Sequence, residues 1–179
     1  MKKYVKFNKE KILIVNKNYK LSRFFDPKKL NKELLEEYDK MWHQAQKDKI
    51  NLNIVSGYRS YKYQQKLLKE HLYVDNIENI KKYLAMPGYS EHQTGLAIDL
   101  INTESKLIKK YHKEYKWLYN NSYKYGFILR YPKGKELITG YKYEPWHFRY
   151  VGEKLAKELY NNGDYLTLEE YFQLNSKKR

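Results

Sequence analysis

A single carboxylate sits inside an apolar run. Leu96-Ala-Ile-Asp-Leu-Ile101 has the pattern of a buried strand, with Ala97, Asp99 and Ile101 on one face and Leu96, Ile98 and Leu100 on the other. A charged Asp in that setting is expensive unless it is paired or bound to a cation. Any fold of this chain must therefore bring Asp99 a partner. His92 stands seven residues earlier, in PGYSEHQTGLAIDLI (87–101), with Gly95 between them. Far downstream, Glu144-Pro-Trp-His147 offers a second imidazole with a carboxylate three residues before it. Two His and one Asp form a donor set for zinc, and the remaining Glu144 can act as a base.

The rest of the chain has room for such a site. Its 179 residues suit one domain, 1–179, with 1–25 as a lead-in. A 41% hydrophobic content argues for a packed core rather than disorder. Tyrosine dominates the aromatics, with 21 residues, so a Tyr-rich core edge or groove is expected. The absence of Cys removes disulfides, thiolate metal sites and Cys nucleophiles. The net charge of +15 is mostly lysine and favours anionic partners such as wall polymers, although the Lys residues are dispersed and read first as solvated faces. Nothing resembles a basic arm apart from Ser176-Lys-Lys-Arg179, and no specific nucleic-acid signature appears. The N-terminal stretch lacks the long apolar region of a signal peptide, and no segment is long enough to span a bilayer. The chain as written reads as cytoplasmic, or as a wall or extracellular protein if its N-terminus is processed.

Periodicity places the elements. Ile12-Leu-Ile-Val15 predicts an edge strand, and Asn31 caps a helix to Ile50 with Leu34, Leu35, Tyr38, Met41, Trp42 and Ala45 on one stripe. His43 beside that stripe is a surface or packing residue. Asn51–Val55 reads as a strand ending at Ser56-Gly-Tyr-Arg-Ser60, and a helix capped by Ser60 runs to about Tyr73. A short helix over 76–85 precedes Met86-Pro-Gly88. His112 lies in a polar run as a solvated helix residue, and a helix from Trp117 ends at Gly126. Phe127–Arg130 is a strand, and helices over 153–161 and 167–174 close the chain. Strands and helices are mixed without βαβ alternation, which makes the fold class α+β.

The familiar HExxH signature is absent. Taken singly, each of His92, Asp99, His147 and Glu144 is more often structural. In a regular strand Glu144 and His147 face opposite ways, so Pro145 must sit at a bend for both to aim inward. Arg59, at a strand-to-helix junction, can supply the positive charge that a developing oxyanion needs. Its ordinary alternative is a surface ion pair, but Arg is scarce here, found only at 23, 59, 130, 149 and 179.

Three ordered blocks now stand together: Ser56-Gly-Tyr-Arg-Ser60, Ser90-Glu-His-Gln-Thr-Gly-Leu-Ala-Ile-Asp99 and Glu144-Pro-Trp-His-Phe-Arg149. They resemble the signature blocks of VanY-type D-alanyl-D-alanine carboxypeptidases, zinc peptidases that share a fold with lysostaphin-type enzymes and hedgehog domains. The likeness covers about residues 50–152. It implies a small, mostly antiparallel sheet flanked by helices and one Zn2+ held by His92, Asp99 and His147. It also implies Glu144 as general base and acid and Arg59 on the scissile carbonyl. Gln64 and Ser90 match substrate-holding positions, Ser90 equally being a turn residue, and Tyr58 and Trp146 are expected to shape the pocket wall.

The leading activity so implied is D,D-carboxypeptidase action, removing the terminal D-Ala of peptidoglycan stem peptides or precursors. Bifunctional VanXY-type dipeptidase and carboxypeptidase action, L,D-carboxypeptidase action and L-Ala-D-Glu endopeptidase action share the same site. A non-catalytic, zinc-containing wall-binding protein is the rival from another class, and it needs neither Glu144 nor Arg59.

Overall fold

The computed structural model describes residues 3–102 and 104–174; the basic Ser176–Arg179 stretch lies outside them. Strands β1 (Lys3–Phe7) and β2 (Glu10–Ile14) form an antiparallel hairpin turning through Asn8 and Lys9, with Asn8 at a positive φ of 53°. β2 therefore pairs with β1 rather than edging the main sheet. The alternation of Tyr4 and Lys6 with Val5 and Phe7 hides β1 among lysines.

Helix α1 (Lys32–Lys47) starts at Asn31, whose side chain accepts the Leu34 N–H, and it buries Leu34, Met41 and Ala45. Strand β3 (Asn53–Ser56) leads into α2 (Tyr61–Leu72), capped by Ser60, and then into the single turn α3 (Ile77–Ile80). A 3-10 helix, Glu91–Thr94, delivers the chain to β4 (Ala97–Ile101). Helix α4 (Lys113–Asn121) begins one turn earlier than its apolar pattern suggests. His112 is its N-cap residue, with its ring Nδ1 accepting the Lys109 N–H. A 3-10 turn over Ser122–Tyr125 ends at Gly126 and opens β5 (Phe127–Leu129). The single turn α5 (Glu136–Thr139), strand β6 (His147–Tyr150), α6 (Glu153–Tyr160) and α7 (Leu168–Tyr171) complete the order. α7 is one turn, shorter than its sequence pattern, but Thr167 and Glu170 close it with a reciprocal capping box.

The main sheet runs β3-β4-β6-β5 with every pairing antiparallel, and helices flank it, as an α+β fold requires. One face packs Ile98, Leu100 and Phe148 with Leu34 and Met41 of α1 and Leu155 and Leu159 of α6. Each such buried side chain contributes about 1.5–3 kcal/mol over its exposed state. Period-two alternation then sends Ala97, Asp99, His147 and Arg149 to the other face, where all four are buried. No helix among the described residues is long and apolar enough to cross a membrane.

Candidate active site

The register of the sheet sets two of the three candidate ligands. Asp99 lies opposite His147 across the β4–β6 pair. The neighbouring Leu100 N–H donates to Trp146 O at 3.0 Å, so the 99–147 pair falls between ladder bonds, where opposed side chains come closest. His92 arrives from the 3-10 helix. Ser90 Oγ accepts the His92 N–H at 3.3 Å, and the turn closes at Gly95 with φ 71°. A Cβ on Gly95 would lie 2.5 Å from Lys29 O, so this loop is pressed against the start of α1.

The donor atoms converge. Asp99 Oδ2 is 3.2 Å from His92 Nε2, Asp99 Oδ1 is 3.0 Å from His147 Nδ1, and the three candidate ligand atoms lie within 4.8 Å of one another. His92 Nδ1 is 2.6 Å from Gly57 O. A carbonyl only accepts, so Nδ1 carries the proton and the Nε2 lone pair turns into the cluster. That Nε2 is buried without a hydrogen-bond partner. Two imidazole nitrogens and a carboxylate oxygen, one nitrogen left without a partner, fit a divalent metal with nitrogen and oxygen preference.

Electrostatics follow from burial and pairing. Burial alone would lower the pKa of His147, but its bonds to Asp99 and Glu91 raise it to about 9. Burial lowers that of His92, with Arg59 adding to it and Asp99 opposing. Burial pushes Asp99 up, but His92 and His147 hold it well below the usual carboxylate range. Burial drives Glu144 up to about 7, with Asp99 adding and His147 and Arg59 opposing. Pro145 and Trp146 form a turn, and the His147 N–H donates to Glu144 O at 3.2 Å. The bend expected at Pro145 is therefore present, and Glu144 Oε2 comes within 3.8 Å of His147 Nδ1.

Arg59 lies just beyond β3, its backbone N–H donating to His92 O at 3.2 Å. Its Nε is buried without a hydrogen-bond partner, and burial lowers its pKa. Arg59, Ser90, Glu91, His92, Glu144 and His147 line one cleft of about 30 Å3, walled by Tyr83, Leu84, Ala85, Tyr131 and Tyr141. That volume takes about two waters or one methyl-sized group. Ser90 both caps the 3-10 helix and lines the cleft. Gln64 sits behind the wall, donating from Nε2 to Ala85 O at 2.8 Å. Tyr58 is half-buried and its hydroxyl bonds Asp26 at 2.5 Å, while Trp146 packs against the core. Neither ring is among the cleft-lining residues.

A buried charge network behind the cleft went unread in the sequence. Glu91 accepts from Arg130 Nε at 2.9 Å and Arg149 Nη1 at 3.1 Å, and Arg130 makes two bonds to Glu169, at 2.8 and 2.6 Å. The available signal was Arg130 at the end of the apolar Phe127-Ile-Leu run and Arg149 inside β6, scarce arginines in strands that bury them.

A family model described as VanY, D-alanyl-D-alanine carboxypeptidase, matches residues 27–153, a span that holds His92, Asp99, His147, Glu144 and Arg59. The chain belongs to the VanY family. It is 41% identical over 93% of its length to the putative carboxypeptidase YodJ of Bacillus subtilis, of which it spans 68%. It is 40% identical over 75% of its length to a D-alanyl-D-alanine carboxypeptidase of Enterococcus faecalis, of which it spans about half, 51%. Among solved structures, the L,D-carboxypeptidase DacB of a streptococcus matches with TM-score 0.85 and 40% identity, covering 94% of this chain and 90% of that one. A mutant of the vancomycin-resistance D,D-pentapeptidase VanY, in complex with Zn(II), matches with TM-score 0.76 and 31% identity, covering 89% and 97%.

Proposed function

We propose that this VanY-family chain is a zinc-dependent carboxypeptidase that removes the terminal D-Ala from peptidoglycan stem peptides or their precursors. The observation that carries it is the convergence of His92 Nε2, Asp99 and His147 Nδ1, the two imidazoles lining one small cleft with Glu144 and Arg59. When bound there, zinc supplies a Lewis acid that polarises the scissile carbonyl and lowers the pKa of water. His92, Asp99 and His147 hold the ion. Glu144 takes the proton of the attacking water as the water oxygen bonds to the carbonyl carbon. It then returns that proton to the leaving amine as the C–N bond breaks. The guanidinium of Arg59 faces negative charge developing on the carbonyl oxygen. Ser90, on the cleft wall, would touch the peptide, while Gln64 supports the wall through Ala85. The net charge of +15 suits loose association with anionic wall polymers.

The D,D bond of a pentapeptide is the bond that the three sequence blocks point to. A second reading, the L,D bond of a tetrapeptide, is favoured by the closer match to the L,D-carboxypeptidase, 40% identity and TM-score 0.85 against 31% and 0.76 for VanY. Purified protein with zinc is offered stem pentapeptide, stem tetrapeptide and free D-Ala-D-Ala, and released D-Ala is measured with and without chelator. Release from the pentapeptide gives D,D action, release from the tetrapeptide gives L,D action, and cleavage of the free dipeptide adds dipeptidase action. Binding of all three without cleavage of any bond in them overturns the enzyme reading in favour of a wall-binding protein.

A further inference from the structure

Glu91 precedes His92 on the 3-10 helix and is 1% exposed, yet its carboxylate is spoken for on both sides. Oε1 accepts from Arg130 Nε at 2.9 Å and Arg149 Nη1 at 3.1 Å. Oε2 lies 3.4 Å from His147 Nε2, on the side of the ring away from Asp99. The two guanidinium groups cannot swing. Arg130 is held by both oxygens of Glu169, which also accepts from Asn16 Nδ2 at 2.8 Å, and Arg149 donates to Leu13 O at 2.8 Å and Tyr150 O at 3.0 Å. Glu91 is thus fixed with one acceptor oxygen committed to cations and the other turned to His147.

We propose that Glu91 is the positioning residue of His147: it accepts the Nε2–H, fixes the ring and so makes Nδ1 the nitrogen that faces His92 and Asp99 and offers its lone pair to the metal. An imidazole ligand needs its far nitrogen to donate to an acceptor if its near nitrogen is to offer a lone pair. His92 obtains this from Gly57 O and His147 from Glu91. Arg130 and Arg149 act one step further out, by holding Glu91. Leu13, Asn16 and Glu169 lie outside the span 27–153 that the family model matches. The β hairpin and α7 therefore complete the support of a site whose ligands all lie within that span.

The inference rests on the zinc reading above, and Glu91→Gln tests it. Gln has the same shape, and its single oxygen stays on the two guanidinium groups, because the alternative turns an NH2 donor onto two cations. The NH2 then replaces Oε2 and meets His147 Nε2 with a donor, which favours protonation at Nδ1 and opposes metal binding. Zinc affinity is read by competition against a chromophoric chelator, with circular dichroism as the control for folding. The expected result is a folded variant whose zinc Kd is weakened by about 10–100-fold. A folded variant with the Kd of the parent protein overturns the role of Glu91. A parent protein that holds no zinc overturns the zinc reading itself, and the two failures are distinct. If Glu91→Gln does not fold, the zinc-loaded parent with 15N-histidine decides by NMR. A His147 ring proton on Nε2 supports the role, and one on Nδ1 overturns it.

Discussion

Glu144→Gln in metal-stripped protein isolates what it costs to bury a carboxyl where the cation is missing. Glu144 is 8% exposed and faces His147, Asp99, Arg59 and Glu91. Its pKa is raised from 4.5 to about 7, burial being the largest cause. A raised carboxyl pKa means that the folded state holds the proton more tightly than the unfolded state. The cost is therefore absent below about pH 4.5, grows through the interval and is complete above about pH 7. At 1.36 kcal/mol per pKa unit the full cost is about 3 kcal/mol. Gln carries no charge at any pH and escapes it while keeping the shape. For a chain of this length that corresponds to a Tm gain of roughly 6–12 °C. Calorimetry in chelator at pH 8 and pH 4.5 measures it. The variant should melt well above the parent at pH 8 and close to it at pH 4.5. Equal gains at both pH values, or none at pH 8, refute the reasoning. With zinc restored, the same variant should keep the metal and lose about 10²–10⁴-fold in hydrolysis, because it cannot accept the proton.

Arg59→Ala should retain zinc and lose about 10²–10³-fold in kcat, the scale of an oxyanion donor, as read by steady-state kinetics on the best of the three peptides. Gly95→Ala combines a φ of 71° with a Cβ placed 2.5 Å from Lys29 O, and should cost about 2 kcal/mol or more, measured by urea unfolding. Glu169→Ala breaks a buried pair and leaves Arg130 short of a partner, so it should destabilise the fold by about 3–5 kcal/mol in the same assay. Zinc binding at pH 8 should release close to one proton, because His147, raised to about 9, must give up its Nδ1 proton to ligate. Calorimetric titration in two buffers of different ionisation enthalpy reads this, and the release should fade above pH 9.

Elements whose burial is one-sided were legible in the chain. Asn31 with the Leu34, Met41 and Ala45 stripe marks α1, and Ser60 marks α2, because a cap and a 3.6-residue period are local facts. β1 was not, since lysines at 3 and 6 mask a strand that only its hairpin partner identifies. The closing helix was overextended for the opposite reason. Leu168 to Leu174 keeps helical spacing, yet Gln173 turns to a positive φ of 49° and ends it after one turn. The length of such an element is set by what it docks against, and that is not written within it.

The ligand set was legible because an unpaired carboxylate in an apolar strand requires an explanation, and Asp99 has few candidates to supply one. Glu91 gave no such warning, since an acid beside His92 in a polar loop reads as solvent-facing. Its burial depends on Arg130 and Arg149, and theirs on Glu169 and Leu13 O at opposite ends of the chain. Each of these charges is costly alone and tolerable only when all are present. Without a metal the same logic holds at the centre, where a proton on His147 between Asp99 and Glu91 can stand in for the missing cation. Binding then exchanges one positive charge for another rather than building the site from nothing, which is why proton release should accompany it.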